Sequence, residues 1–200
     1  SSIAWYTDRG NLLSLNSKEQ RDAERSLVRS LEIAEVLGVE AVLLHPGQLT
    51  ADGTYQNVWD RMIRIMKEVA LIAEEKRVIV GIENVWNKFL LTSREMGQFL
   101  DSVDSEAVAA YLDTANMMAY GFPEHWIRDL GSRIVRIHFK DFDRNAGHFV
   151  PLLDGDTDWL VVMKELHAIG YNSPVIHEVG GDWNAQIEMA KRMRQILKRK

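Results

Sequence analysis

Cysteine is absent from the 200-residue sequence, so the chain can form no disulfide and offers no thiolate as a metal ligand or nucleophile. A basic surplus is also lacking, because 24 Lys and Arg residues face 29 Asp and Glu residues. The formal net charge of −5 argues against a broad nucleic-acid-binding surface. No apolar run approaches the roughly 20 residues of a membrane-spanning helix. We therefore expect a cytoplasmic protein with neither nucleic acid nor membrane as its partner.

Short apolar runs alternate with segments of helical periodicity along the chain. Six runs are predicted strands: SSIAWY (1–6), AVLLHPG (41–47), VIVGIEN (78–84), AVAAYLDTAN (107–116), RIVRIHFKD (133–141) and SPVIHEVGG (173–181). The main helical segments are 17–38, 58–76, 92–103, 158–170 and 184–200. This repetition predicts parallel β/α units in one domain that spans residues 1–200.

Two parallel α/β architectures compete for such a pattern, an open doubly wound sheet and a closed (β/α)8 barrel. A doubly wound nucleotide-binding sheet needs a glycine-rich turn after its first strand, and no such turn occurs. A barrel instead carries its functional residues at the C-terminal ends of several different strands. The sequence has this second signature, so it predicts a barrel.

Polar side chains that could bind a metal ion follow five of the six predicted strands. These residues are His45, Glu83, Asp113, His138 and Glu178. Steps of 30, 25 and 40 residues separate the last four, so each step spans one β/α unit. Burial of several carboxylates at one rim requires a shared cation. Three carboxylates and one imidazole predict a single divalent ion, Mn²⁺, Mg²⁺ or Co²⁺, with Zn²⁺ as an alternative.

Four motifs, GIEN, YLDTAN, RIHFKD and HEVGG, occur in the order typical of the sugar phosphate isomerase/epimerase family. That family consists of xylose isomerase-like (β/α)8 TIM barrels, and the resemblance covers the whole chain. The segment LLDGDTDWLVVMKELHAIGY (152–171) also resembles the family's Gly-Asp-x-Asp-Trp segment. Ketose and L-xylulose-5-phosphate 3-epimerases are the most similar branch. The resemblance implies an α/β TIM barrel in which strands 3–8 are present and the first two β/α units are absent.

The same resemblance implies the roles of the strand-end residues. Glu83, Asp113, His138 and Glu178 would bind the divalent metal ion. Glu83 and Glu178 would also be catalytic, one removing and the other returning the proton beside the ketose carbonyl. The product would be the 3-epimer, formed through an enediolate.

Four further residues are candidate contacts for the sugar or sugar phosphate: His45, Asn116, Lys140 and Arg144. Arg144 matches a substrate-binding arginine of tagatose 3-epimerases. Asn116 stands where some of those enzymes have histidine, which favours the sugar-phosphate branch. A surface ion pair of Lys140 with Asp141 or Asp143 is the alternative for that lysine.

Other functions are compatible with the same ligand set. They are an aldose–ketose isomerase, a related sugar or inositol lyase, a non-catalytic sugar-binding barrel and, as a minor alternative, an endonuclease IV-like nuclease. A three-zinc nuclease site would need more histidines than this sequence provides. We expect the 200-residue chain alone to be poorly active, and both a homodimer and a homotetramer remain open.

Overall fold

The computed structural model describes residues 2–5 and 10–199. The strands are β1 (Ser2–Trp5), β2 (Ala41–Leu44), β3 (Ile79–Glu83), β4 (Val108–Asp113), β5 (Ile134–Phe139), β6 (Asp141–Asp143), β7 (His148–Val150) and β8 (Val175–His177). The helices are α1 (Ser17–Leu37), α2 (Tyr55–Lys76), α3 (Ser93–Val103), α4 (Pro123–Leu130), α5 (Trp159–Ala168) and α6 (Trp183–Leu197), with a 3-10 turn at Gly131–Arg133.

Six strands form one parallel sheet in the order β1-β2-β3-β4-β5-β8. This order confirms the predicted α/β class and all six predicted strands, although Ser1 and Tyr6 of the first lie outside the described residues. Every residue of β2 and β4 is buried, as expected when both faces of a parallel sheet are covered. The chain divides into two compact units, Ser1–Tyr111 and Leu112–Lys200.

In the unit Ser1–Tyr111, the strands pair in regular parallel register. Leu44 at the end of β2 lies opposite Ile82, and Glu83 at the end of β3 lies opposite Tyr111 in β4. Helix α1 begins after Asn16, whose side chain accepts hydrogen bonds from the N–H groups of Lys18 and Glu19. The register places the ends of β3 and β4 at one edge of the sheet.

In the unit Leu112–Lys200, β5 pairs with β8 so that His138 lies opposite Ile176. A short antiparallel hairpin, β6–β7, follows β5 and was not predicted. The core beneath β5 is aromatic, since the rings of Phe139 and Trp159 lie 4.8 Å apart, and both residues are buried. Within the described part of the chain, no helix has the length and apolar character needed to cross a membrane.

Candidate metal centre

Asp113 is the last residue of β4, and its side chain is fully buried. Its Oδ1 accepts hydrogen bonds from the backbone N–H groups of Ala115 and Asn116, at 2.8 and 2.7 Å. These bonds turn the chain immediately after the strand and fix the orientation of the carboxylate. The other oxygen, Oδ2, lies 3.8 Å from Nζ of Lys140.

His138 and Glu178 come from the neighbouring strands β5 and β8. The parallel pairing continues one step past β8, because the N–H of Glu178 donates to the carbonyl oxygen of Phe139 at 3.1 Å. Side chains alternate along a strand, so His138 and Lys140 project to the face opposite that of Phe139. The imidazole is buried at 8% exposure, whereas Glu178 is half-buried.

These three residues bring their ligand atoms together. One carboxylate oxygen of Asp113, one ring nitrogen of His138 and one carboxylate oxygen of Glu178 all lie within 4.8 Å of one another. Two carboxylates and an imidazole are hard and borderline donors that suit Mn²⁺, Mg²⁺, Co²⁺ or Zn²⁺. Because the donors are already gathered and mostly buried, the group could hold a divalent metal ion.

Lys140 supplies the positive charge beside these carboxylates. Its Nζ donates to Oε2 of Glu178 at 2.7 Å, and the lysine side chain is only 16% exposed. Burial raises the pKa of the Glu178 carboxyl, but the hydrogen bond and charge of Lys140, with the charge of His138, bring the pKa below its usual value. Glu178 is therefore ionised at neutral pH. Because the Lys140 ammonium pairs with Glu178, the alternative prediction of a surface ion pair with Asp141 or Asp143 is wrong.

Glu83 and His45 lie in the unit Ser1–Tyr111. Glu83 ends β3 and is 5% exposed, so it is a buried carboxylate at a strand end, as predicted. His45 directly follows β2 and is half-buried. Their roles as metal ligand and substrate contact remain predictions.

Asn116 and Arg144 have defined places near the end of β4. Asn116 is buried in the turn that Asp113 stabilises. The Arg144 guanidinium donates to the carbonyl oxygens of Met118 and Gly121, at 2.5 and 2.7 Å, and lies 4.6 Å from the ring centre of Phe122. Arg144 therefore holds the 118–122 loop in this structure, and its contact with substrate remains a prediction.

Sequence reasoning missed the role of Asp141. This residue is fully buried, and its carboxylate accepts five hydrogen bonds. The donors are Phe142 N, Leu153 N, Thr157 N, Thr157 Oγ1 and Trp159 Nε1. The available signal was the segment Gly-Asp-Thr-Asp-Trp, because the Thr157 and Trp159 side chains are hydrogen-bond donors that need an acceptor once they are buried.

The fold and the ligand group define the class of the protein. Parallel strands alternate with helices, and potential metal ligands gather beyond the C-terminal ends of those strands, as in metal-binding (β/α) barrels. The model of the xylose isomerase-like TIM barrel family matches residues 1–200, and the chain belongs to that family. This confirms the predicted barrel type and the resemblance to sugar isomerases and epimerases.

Individual relatives are distant in sequence. The chain is 22% identical to the uncharacterized protein MJ1311 of Methanocaldococcus jannaschii over 196 residues, which cover 94% of this chain and 65% of that protein. The chain thus spans less than two thirds of the length of this relative.

Many solved structures share the fold. A D-tagatose 3-epimerase-like protein has a TM-score of 0.88 at 18% identity, over 98% of this chain and 76% of the other. D-psicose 3-epimerase from Clostridium cellulolyticum H10, solved with D-tagatose, has a TM-score of 0.74 at 21% identity, over 98% and 73%. The IOLI protein, solved with a zinc atom, has a TM-score of 0.84 at 16% identity, over 98% and 75%.

Proposed function

We propose that this chain forms the metal-binding part of an isomerase or epimerase that acts on a ketose or ketose phosphate. The observation that carries the proposal is the gathering of Asp113, His138 and Glu178 donors within 4.8 Å at the ends of three strands. Membership of the xylose isomerase-like family and the fold similarity to 3-epimerases favour 3-epimerisation within this class.

Glu83 is proposed as the fourth metal ligand. In the pairing of β3 with β4, Glu83 lies opposite Tyr111, and Asp113 follows Tyr111 by two residues in the same strand. Residues two apart in a strand project to the same face, so the register supports a shared orientation of the two carboxylates. A divalent cation would also offset the desolvation of this buried carboxylate.

The proton beside a ketose carbonyl is too weakly acidic to leave without help. A bound divalent ion supplies electrostatic stabilisation of the charge that develops on the substrate oxygens. Glu178 is ionised and half-buried, so it is suited to accept or return a proton at its carboxylate. Glu83 would be its counterpart on the opposite side of the carbon, and transfer between two faces would invert the centre. Asp113 and His138 would hold the ion without exchanging protons.

The substrate would be positioned by side chains that border these ligands. Asn116 and Lys140 are suited to sugar hydroxyl or phosphate oxygens through their amide and ammonium donors. His45 and Arg144 are proposed for the same purpose, with Arg144 acting from the loop that it stabilises.

The decisive experiment follows proton exchange rather than product alone. The purified protein is incubated in D₂O with Mn²⁺ or Mg²⁺ and a panel of free pentuloses, hexuloses and their phosphates, and deuterium is located by NMR. We expect incorporation at C3, with none after Glu178→Gln and normal incorporation after Glu106→Gln, a control at an exposed turn. Incorporation at C1 or C2 instead would identify an aldose–ketose isomerase. Absence of exchange with every ketose would overturn the proposal.

A further inference from the structure

The ammonium group of Lys140 lies among the candidate ligand atoms. Its Nζ is 2.7 Å from Oε2 of Glu178 and 3.8 Å from Oδ2 of Asp113. The backbone of Lys140 is also fixed, because its N–H and carbonyl oxygen both hydrogen-bond the Thr114 hydroxyl, at 3.0 and 2.7 Å. The residues that bind Lys140 thus follow β4 and β8, the two strands that flank β5 in the sheet.

An aromatic ring holds the ammonium from another side. Nζ lies 4.1 Å from the ring centre of Phe149, within the range of a favourable cation–π contact. Phe149 belongs to β7, and its ring packs against that of Phe142 in β6 at 5.5 Å between centres. The β6–β7 hairpin therefore serves to hold Lys140 against the two carboxylates.

The charge of Lys140 has two consequences for the ligand group. Without a metal ion, the ammonium offsets the repulsion between the Asp113 and Glu178 carboxylates, which a poorly solvated environment strengthens. With a divalent ion present, the same ammonium repels it and occupies a lone pair of Glu178. One side chain thus stabilises the metal-free state and opposes the metal-bound state.

We infer that Lys140 is a resident cation that balances Asp113 and Glu178 in the absence of a divalent ion, and that the ion must displace it. Lys140 therefore lowers the metal affinity of the site and keeps the site folded when the ion leaves. This inference rests on the proposed metal-dependent function.

The test compares Mn²⁺ affinity among variants at constant pH, with free Mn²⁺ read from its EPR signal. Lys140→Met keeps the length of the side chain and its contact with an aromatic ring, but removes the charge. Because even a well-screened unit charge beside a divalent ion changes its affinity measurably, we expect Lys140→Met to bind Mn²⁺ about tenfold more tightly or better. Lys140→Arg should stay within about threefold of the parent, since it keeps the charge. Lys164→Met, an exposed lysine on α5, should not change the affinity.

Thermal unfolding supplies a readout that needs no activity. Without metal, Lys140→Met should unfold at a lower temperature than the parent, and saturating Mn²⁺ should raise its unfolding temperature by more than it raises that of the parent. The Lys164→Met control should follow the parent in both conditions.

A second variant leaves Lys140 in place. Phe149→Leu removes the ring face at an already exposed position, so it should fold, and the less restrained ammonium should allow about twofold to fivefold tighter Mn²⁺ binding. Mn²⁺ affinity that is equal or weaker in both Lys140→Met and Phe149→Leu would overturn the inference while leaving the proposed function intact. Failure of the parent and of Lys140→Met to bind any divalent ion would instead refute the proposed function, and the inference with it.

Discussion

Replacement of Asp141 by asparagine should destabilise the chain severely, although the two side chains have nearly the same shape. The Asp141 carboxylate is fully buried, and every group that contacts its oxygens through a hydrogen bond is a donor. Oδ2 accepts from Leu153 N at 2.9 Å and from Trp159 Nε1 at 3.0 Å. Oδ1 accepts from Phe142 N at 3.0 Å and from Thr157 at 3.2 Å (N) and 2.6 Å (Oγ1).

The size of the loss follows from this one-sided arrangement. An asparagine amide carries one acceptor oxygen and one NH₂ donor, so in either orientation at least two buried or part-buried N–H groups lose their acceptor. Each orphaned donor costs about 1–3 kcal/mol, which predicts a loss of about 2–6 kcal/mol in the free energy of unfolding. This is a large fraction of the stability of an ordinary domain.

Equilibrium urea unfolding, followed by far-UV circular dichroism, measures this loss. Asp158→Asn is the matched control, because Asp158 is an exposed N-cap of α5 and asparagine caps helices about as well as aspartate. Hydrogen exchange at Leu153 N–H should accelerate in Asp141→Asn and not in the control. If Asp141→Asn loses less than about 1 kcal/mol, or no more than the control, the assignment of Asp141 as the organiser of this loop is wrong.

Three further predictions follow from individual contacts. Burial raises the pKa of Tyr55 to about 12, so the folded chain keeps a proton that the unfolded chain releases near pH 10, and the free energy of unfolding should fall between about pH 10 and 12. Tyr55→Phe should make the urea midpoint less dependent on pH over this window. An unchanged pH dependence in Tyr55→Phe would contradict the assignment. Gly155→Ala should lower the free energy of unfolding by about 1–3 kcal/mol, because a Cβ would meet the Asp141 carboxylate. Gly180→Ala meets no neighbouring atom and should lose less, so equal losses in the two variants would count against this packing. Arg144→Ala should lower the free energy of unfolding by about 1–3 kcal/mol, because the carbonyl groups of Met118 and Gly121 and the ring of Phe122 lose their partner. A loss no greater than that of Arg25→Ala, at an exposed position on α1, would count against this loop contact.

The parallel sheet could be predicted because its inner strands, β2 to β5, are fully or nearly buried and are therefore continuous apolar runs in the sequence. β2 and β4 are buried along their whole length, and the runs AVLL and VAAYLD show it. The ends of the five predicted helices agree with the structure to within three residues. Helix α3, for example, begins after Thr92, which forms a capping box with Glu95.

The hairpin β6–β7 could not be predicted by the same reasoning. Its strands, DFD and HFV, have only three residues each, so neither an apolar run nor alternation over four or more residues is present. The hairpin depends on contacts of Phe142 and Phe149 that the local sequence does not reveal.

The proximity of the candidate ligands was predictable for a different reason. Asp113, His138 and Glu178 are polar residues at the ends of apolar runs, and parallel strands bring such ends to one edge of a sheet. The pairing of Glu178 with Lys140 was not predictable from the sequence. Asp141 follows Lys140 directly and Asp143 lies three residues after it, so either could have formed a surface ion pair with this lysine. Only the pairing of β5 with β8 places its ammonium on Glu178 instead.

The dipeptide Lys140-Asp141 shows how strand geometry separates two adjacent charges. Alternation turns Lys140 toward the face of His138, where its ammonium meets Glu178. Asp141 turns to the face of Phe139, where the indole of Trp159 both packs on that ring and donates to the carboxylate. The two charges are neighbours in sequence, but they do not need to neutralise each other, because each has its own partners. Lys140 pairs with the candidate ligand Glu178, and Asp141 anchors the loop that leads into α5. The same short segment at the end of β5 therefore connects the candidate site to the packing around Trp159.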